Sequence, residues 1–167
     1  ELKSKGRSEG FHNPNEVNIE TFRDGEIKPK INSNVRKKNC YFIHNPNLSP
    51  GEWSLQLDLI NQALKKSSAQ EIIDVFTYTM FSRQDRKDES RVPVSVRVIA
   101  KNIEEYAQRA MTIDFHNQIA LDCAYDIPFD NLSPYPTVVE YIKRTNPEIL
   151  ENLIVMSPDV GGLRRAR

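Results

Sequence analysis

The sequence predicts an α/β protein in which a parallel sheet is flanked by helices. Short apolar runs of strand length recur along the chain, amphipathic helical patterns separate them, and polar or glycine-containing segments follow them. Alternation of this kind is typical of parallel sheets, whose strands are joined by helical crossovers. Because ligands of such sheets bind beyond the carboxyl ends of the strands, we expect the functional site in the segments that follow the strands.

Most elements are predicted from hydrophobic spacing. Residues 1–18 show almost no apolar periodicity and are expected to be irregular or frayed, which leaves one domain at residues 19–167. A helix is predicted at residues 52–66, where apolar residues recur at helical spacing, namely Trp53, Leu57, Ile60 and Leu64. The other predicted elements are strands at 38–44 and 71–79, a helix at 94–110, a strand at 111–115, a helix at 135–145 and a strand at 152–158.

The composition is that of a soluble protein with no overall charge. The chain has 167 residues, 38% of them hydrophobic, and its 23 Lys and Arg balance 23 Asp and Glu. No net field therefore attracts it to nucleic acid or to a membrane, and no apolar run reaches the roughly 20 residues that span a bilayer. Cys40 and Cys123 lack CxxC spacing, which favours reduced thiols. We expect a cytoplasmic protein that binds neither nucleic acid nor membranes.

A highly charged segment follows the strand predicted at residues 71–79. Residues 83–91 contain four cations (Arg83, Arg86, Lys87 and Arg91) and three acids (Asp85, Asp88 and Glu89), without an apolar face. Such a loop at the carboxyl end of a strand can wrap a polyphosphate, because Arg offers forked donors and Lys a mobile charge. An ordinary solvated turn is the alternative.

Two further strand ends carry residues suited to a metal-nucleotide complex. Asp114 and His116 are predicted to point to one side of an extended segment, where they could help to hold a metal or act beside a metal-phosphate complex. A histidine in a structural hydrogen bond is the alternative. Residues 157–162 (SPDVGG) form a turn whose glycines let backbone N–H groups approach a phosphate, although a tight turn alone also needs glycine.

An aromatic and acidic segment at residues 22–26 (FRDGE) lies upstream of these strands. An aromatic ring there can stack on a purine, and the two carboxylates can accept hydrogen bonds from its amino group. A surface turn built on Asp and Gly is the other interpretation.

In chain order, these segments resemble the ribose-phosphate diphosphokinases, also called ribose-phosphate pyrophosphokinases or phosphoribosyl diphosphate (PRPP) synthetases. Residues 82–95 (SRQDRKDESRVPVS) resemble the family's A-R-Q-D-R-K-x-x-x-R-x-P-I-S loop. The segments that resemble its F-S-D-G-E, D-L-H, D-I-P-V-D-N-L and S-P-D-x-G-G motifs are residues 22–26, 114–116, 126–132 and 157–162. The resemblance covers residues 19–167 and implies the N-terminal half of the enzyme, with a type I phosphoribosyltransferase fold.

The resemblance also implies site residues. Phe22, Asp24 and Glu26 would contact the adenine of an ATP bound mainly by a neighbouring subunit, and Arg83 and His116 would be catalytic. The implied ATP-binding residues are Phe22, Asp24, Glu26, Arg83, Gln84, Asp85, Asp88 and His116. The implied diphosphate loop consists of Asp159, Gly161 and Gly162, and the candidate Mg2+ ligands are His116, Asp159, Asp114, Asp126 and Asp130. A regulatory site for inorganic phosphate or ADP would use Arg36, Ser68 and Arg91.

The implied reaction is attack by the anomeric hydroxyl of ribose 5-phosphate on the β-phosphorus of ATP, which gives phosphoribosyl diphosphate and AMP. Positioning and charge neutralisation dominate such chemistry. The resemblance further implies a homo-oligomer, in which dimers assemble into a hexamer.

The sequence also departs from the family pattern. The family's Lys-x-Arg hairpin and its ribose-phosphate loop, an acidic pair followed by T-G-G-T, have no match in these residues, so we expect this chain alone to be inactive. One extra residue separates His116 from Asp126. A non-catalytic associated subunit of the same family is the main alternative, and a nucleotide-sensing module of the same fold is a more distant one. The uninterrupted Arg-Gln-Asp loop and His116 favour the enzyme.

Overall fold

The computed structural model describes residues 17–157 and 160–162. The chain divides into two compact units, one that extends to Leu132 and one that begins at Ser133. The strands are β1 (Val17–Thr21), β2 (Ile27–Ile31), β3 (Asn39–Ile43), β4 (Glu71–Phe76), β5 (Arg109–Ile113) and β6 (Phe129–Leu132). The α-helices are α1 (Pro50–Lys66), α2 (Ser95–Tyr106), α3 (Gln118–Ala124) and α4 (Tyr135–Thr145), and 3-10 helices lie at Pro147–Asn152 and Val160–Gly162.

A parallel sheet organises the first unit. Among the described residues, it contains four strands in the order β3-β4-β5-β6, and each neighbouring pair is parallel. Helices connect successive strands, as a parallel sheet requires. This arrangement confirms the predicted fold class, a parallel sheet flanked by helices, and it brings the carboxyl ends of all four strands to one edge.

Helix α1 forms where the apolar spacing predicted it. Its start is a capping box, in which the Ser49 side chain accepts from Glu52 N and the Glu52 carboxylate accepts from Ser49 N, with Pro50 in the first turn. The hydrogen bonds from Ser49 hold the pKa of Glu52 below its ordinary value. The predicted apolar residues Trp53, Leu57, Ile60 and Leu64 are all buried in the core.

A polar network crosses this core. Asp74 lies in β4 with no exposed surface, and its Oδ1 is 3.1 Å from His44 Nε2. Asn61 of α1 donates from Nδ2 to Asp74 Oδ2 at 2.8 Å. The His44 ring also contacts the rings of Phe42, Phe76 and Trp53. The distances between ring centroids are 3.9, 4.3 and 5.6 Å, respectively. Buried polar groups are costly unless they are paired, and here one carboxylate has a partner on each oxygen.

The helix predicted at 94–110 is shorter than expected, and the strand predicted at 111–115 lies two residues earlier. Helix α2 ends at Tyr106, since Ala107 is already extended and Gln108 N donates to Ile72 O of β4. Strand β5 therefore starts at Arg109 and ends at Ile113, because Asp114 adopts a left-handed backbone with φ 50°. The prediction that the backbone is extended at Asp114 is therefore wrong.

Four elements of the first unit, namely β1, β2, α3 and β6, were not predicted from the sequence. Strand β1 begins at Val17, two residues before the predicted start of the domain at residue 19. It pairs antiparallel with β2 around a turn at Gly25 (φ +91°). Strand β6 and the short helix α3 were read only as motif sequence. Their sequences are too short and mixed in polarity to show a period, and β6 is specified by its pairing with β5. Residues 1–16 lie outside the described part of the chain.

The second unit confirms one prediction and overturns another. Helix α4 has the predicted limits, whereas the strand predicted at 152–158 is wrong. Asn152 ends a 3-10 helix, residues 153–157 have no regular structure, and residue 158 is not described. Ile154 and Met156 are 81% and 83% exposed. Because a strand needs a hydrogen-bonded neighbour and no described strand pairs with this segment, apolar composition alone does not make it one.

No helix within the described ranges, 17–157 and 160–162, is both long and apolar enough to cross a bilayer.

We expect Leu57→Ala to lower the free energy of unfolding by about 3 kcal/mol, because Leu57 is completely buried and the smaller side chain leaves a cavity. The matched control is Leu55→Ala on the same helix, where the side chain is 45% exposed and a change within about 0.5 kcal/mol is expected. Urea unfolding followed by circular dichroism measures both. Equal losses would contradict the assigned face of α1.

We expect Asp74→Ala to destabilise the protein by about 3 kcal/mol, because it leaves His44 and Asn61 buried without their shared acceptor. Asp122→Ala, which removes an exposed carboxylate from α3, should change stability by less than about 0.5 kcal/mol. Thermal melts converted to free energies test this. A loss at Asp74 no larger than at Asp122 would show that the network contributes little.

Candidate active site

The paired ends of β4 and β5 bring two polar segments together. The strands are parallel and in register up to the pair Phe76 and Thr112. Just beyond β4, the buried Thr79 donates from Oγ1 to Thr112 Oγ1 at 2.9 Å. The chain that follows β4 therefore starts against the end of β5. This edge of the sheet is where the sequence analysis placed the site.

The charged segment at residues 83–91, called here the cation loop, follows at this edge. The loop's basic side chains are all exposed, namely Arg83, Arg86, Lys87 and Arg91. Two contacts fix its beginning to α2: Gln84 O accepts from Val96 N at 3.2 Å, and the Gln84 side chain accepts from Ser95 Oγ. Asp88 and Glu89 are exposed as well. The loop thus presents positive and negative groups to solvent from an anchored base.

His116 lies at the end of the neighbouring strand. The backbone that leads to it is held by β6, since Asp114 N donates to Leu132 O at 3.0 Å and Phe115 N donates to Asn131 Oδ1 at 2.9 Å. Phe115 is buried and packs against other aromatic rings, whereas Asp114 and His116 are both exposed. The imidazole and the carboxylate therefore face solvent at the edge that carries the cation loop.

A direct hydrogen bond joins these two segments. Asn117, the residue after His116, donates from Nδ2 to Asp85 Oδ2 at 2.8 Å. Asn117 was not among the site residues predicted from the sequence. An Asn directly before a helical segment is a common helix cap, and here its Oδ1 does accept from Ile119 N at the start of α3. That signal could have identified the residue, but not its bond to the loop.

Strained backbone marks the same edge. Phe81 before the cation loop, Arg91 at its end and Asp114 all have positive φ, at 62°, 67° and 50° in that order. A non-glycine residue in this region costs on the order of 1–3 kcal/mol, and such residues concentrate at functional sites. For Asp the cost is smaller because Asp tolerates the left-handed region. Lys37 and Ser68 at the amino edge also have positive φ, at 57° and 62°, so strain alone does not distinguish the two edges.

The candidate metal ligands do not all meet at this edge. Asp126 precedes β6, and Asp130 is the second residue of that strand. Both therefore lie towards the amino end of the parallel sheet, opposite Asp114 and His116. Asp130 Oδ2 binds Arg109 at 2.6 Å, and this hydrogen bond raises the pKa of the Arg109 guanidinium. In the part of the chain that the structure describes, no three His, Cys, Asp or Glu side chains form a metal-binding group.

The residues expected to contact adenine share the turn of the β1-β2 hairpin. Phe22, Asp24 and Glu26 are all exposed there. Asp24 Oδ1 accepts from Glu26 N at 3.1 Å, and Phe22 N donates to Glu26 O at 2.8 Å. The Lys28 ammonium lies 5.6 Å from the Phe22 ring centroid. Since β1 and β2 form a sheet of their own, these residues belong to a different sheet from β4 and β5.

The expected regulatory residues occupy two places. Arg36 precedes β3 and Ser68 precedes β4, so both lie at the amino edge of the sheet. Their segments meet there, because Lys37 N donates to Ser68 O at 2.8 Å. Arg91 belongs to the cation loop at the opposite edge. Within one copy of the chain, the structure therefore brings together only two of the three.

The glycine turn belongs to the second unit, and its catalytic placement stays a prediction. Gly161 and Gly162 are part of the 3-10 helix that begins at Val160. Asp159 lies outside the described residues.

Comparisons with known proteins agree with one another. The sequence model for the N-terminal domain of ribose phosphate pyrophosphokinase matches residues 11–106. A ribose-phosphate pyrophosphokinase from Aquifex aeolicus is 37% identical over 150 residues, which are 89% of this chain and 47% of that protein. One from Bradyrhizobium diazoefficiens is 36% identical over 162 residues, 96% of this chain and 50% of the relative. The chain spans about half the length of the curated relatives it matches.

A solved structure shows the same fold. The crystal structure of phosphoribosylpyrophosphate synthetase from Mycobacterium smegmatis matches with a TM-score of 0.78 and 27% sequence identity. The match covers 90% of this chain and 50% of that one. Because the profile match alone extends over more than half of the 167 residues, this chain belongs to the ribose-phosphate pyrophosphokinase family.

Proposed function

We propose that this chain works as the N-terminal half of a ribose-phosphate pyrophosphokinase that transfers the diphosphoryl group of Mg-ATP to ribose 5-phosphate, releasing AMP. One observation carries the proposal: the cation loop and the His116 segment meet at one edge of the sheet and are tied by the Asn117–Asp85 hydrogen bond. Both segments resemble motifs of the family to which the chain belongs.

The exposed cations suit the charge of the substrates. ATP carries several negative charges that must be offset as the β-phosphorus is attacked, and Arg can donate two parallel hydrogen bonds to phosphate oxygens. Arg83 directly precedes Gln84, whose carbonyl accepts a hydrogen bond from Val96 N of α2. We assign Arg83, Gln84 and Asp88 to the phosphates and ribose of the nucleotide. Phe22, Asp24 and Glu26 on the hairpin turn would contact adenine across a subunit boundary.

His116 directly precedes Asn117, which is hydrogen-bonded to this loop. We assign His116 to the triphosphate, where it donates to a phosphate oxygen and stabilises the charge that develops as the bond to AMP breaks. The attacking group is the anomeric hydroxyl of ribose 5-phosphate. The bond that forms joins it to the β-phosphorus, and the bond that breaks joins the β-phosphorus to the oxygen of AMP.

The exposed carboxylate and imidazole also fit a magnesium ion that arrives with its nucleotide. Mg2+ takes oxygen ligands and commonly uses one or two carboxylates together with substrate phosphates, so we assign Asp114 as a protein ligand, with His116 as a neighbour on the same segment. When bound, the ion neutralises phosphate charge. Asp126 and Asp130 are poorer candidates because they lie at the amino end of the sheet.

Further properties follow from family membership as proposals. The amino-edge pair Arg36 and Ser68 would bind inorganic phosphate or ADP, with Arg91 supplied by another subunit of a homo-oligomer built from dimers, up to a hexamer. A cytoplasmic location fits these soluble substrates. The family's ribose-phosphate loop and Lys-x-Arg hairpin have no match in these 167 residues. We propose that turnover needs both motifs, supplied by a longer form of the chain.

We expect a full-length form to release AMP from Mg-ATP only when ribose 5-phosphate is present. We expect Arg83→Ala and His116→Ala each to lower kcat by about 100-fold or more, because each variant lacks a group that offsets transition-state charge. Chromatographic assay of AMP measures this. The control is Lys101→Ala, an exposed cation on α2, which should stay within about 2-fold. Unchanged turnover in both site variants would overturn the assignment, and an inactive full-length form would favour a non-catalytic subunit.

We expect chelation of Mg2+ with EDTA to abolish AMP release and excess Mg2+ to restore it, because the uncompensated charge of free ATP opposes attack at phosphorus. Stability supplies the control: the midpoint of urea unfolding should not change on chelation, since the ion is expected to arrive with ATP. Undiminished turnover in EDTA would exclude the proposed metal dependence.

A further inference from the structure

We propose that Asp85 is a positioning residue: through its hydrogen bond to Asn117, it holds the cation loop against the segment that carries His116, and it does not itself bind the nucleotide. The proposal rests on the proposed function and deepens it. It also reassigns a residue that the family resemblance placed among the ATP contacts.

The orientation of Asp85 sets it apart within the cation loop. Its side chain is 10% exposed, whereas the side chain of the adjacent Arg86 is 84% exposed. One carboxylate oxygen accepts from Asn117 Nδ2 at 2.8 Å, and the other lies 4.0 Å from Arg86 Nε. The Asp85 side chain is therefore largely buried, and one of its carboxylate oxygens is engaged by Asn117.

The partner is equally constrained. Both ends of the Asn117 amide are used, since Oδ1 accepts from Ile119 N at 3.1 Å while Nδ2 donates to Asp85. Rotating the amide by half a turn would break both hydrogen bonds. The side chain of Asn117 thus has one favourable orientation, and the direction of its N–H bonds is set by the start of α3.

The bond links the two groups that must act together. Asp85 is two residues from Arg83, and Asn117 directly follows His116. Apart from Asp85, the charged side chains of the loop are exposed, so they add little packing that would resist its movement. Catalytic groups on separate segments need accurate placement, and an error of about 1 Å can cost on the order of 100-fold in rate.

Charge gives a second reason for the inward orientation. A carboxylate beside a triphosphate repels it unless a cation lies between them. With Asp85 turned inward, the exposed part of the loop presents four cations (Arg83, Arg86, Lys87 and Arg91) against two acids (Asp88 and Glu89). The hydrogen bond to Asn117 therefore positions the loop and leaves its exposed face net positive.

A swap of the two side chains tests the proposal on the full-length protein. Asn117→Asp keeps a good helix cap but sets two carboxylates against each other, so the loop should separate from the His116 segment. Adding Asp85→Asn to that variant restores the hydrogen bond with donor and acceptor exchanged. Asp85→Asn alone keeps a neutral acceptor for Asn117 and should lose less than Asn117→Asp.

We expect Asn117→Asp to lower kcat for AMP release by about 10- to 100-fold with a smaller change in KM for ATP, and the swapped double variant to return to within about 3-fold of the original protein. If Asp85 contacts the nucleotide or its metal directly, the double variant will stay as impaired as the single variants, which overturns the proposal. Asp122→Asn on α3, which alters an exposed hydrogen bond with Gln118, is the matched control and should have no effect.

Tryptic cleavage after Arg86 or Lys87 gives a readout that does not need activity. Cleavage should be faster in Asn117→Asp than in the original protein and slow again in the double variant, because the restored bond holds the loop. Equal cleavage rates in all variants would overturn the positioning role. If the full-length protein releases no AMP at all, the proposed function fails, and these cleavage rates still decide whether the bond holds the loop.

Discussion

The parallel, in-register pairing of β4 with β5 is the constraint on which the rest of the site depends. Because both strands run in one direction and end together at the pair Phe76 and Thr112, the chains that follow them emerge side by side. An antiparallel pairing would send them to opposite edges. The buried Thr79–Thr112 hydrogen bond extends this register beyond the strands, so the cation loop starts from a fixed point.

The two edges of the sheet have different characters. At the carboxyl edge, exposed cations and an exposed imidazole lie on segments without regular structure. At the amino edge, Arg109 is paired with Asp130. Irregular segments on a rigid sheet carry function in many α/β proteins, because the sheet fixes their ends while their side chains vary. The reactive residues follow that distribution.

Much of the fold could be predicted from the sequence where one element determines its own pattern. Helix α1 follows from apolar spacing, α4 from apolar spacing and a proline in its first turn, and β3 and β4 from short apolar runs. Strand β6 depends on its neighbour, so its own four residues could not show it. The apolar run at 152–158 had the composition of a strand, yet composition does not supply a pairing partner.

The site was predictable to a similar degree. The position of the cation loop and His116 at adjacent strand ends followed from the alternation of elements, and their roles followed from family resemblance. The Asn117–Asp85 bond joins residues 32 positions apart, and no local pattern encodes such a contact. The same is true of the separation of Asp126 and Asp130 from Asp114, which appears only once β5 and β6 are aligned.

The network around Asp74 has a consequence for how this sequence can vary. His44, Asn61 and Asp74 come from a loop, a helix and a strand, and each is enclosed by the core. Loss of one side chain leaves the polar groups of the others buried without a partner, so we expect substitutions at the three positions to occur together. Among close relatives, we expect the imidazole, the amide and the carboxylate to be kept together or exchanged together for apolar or neutral groups.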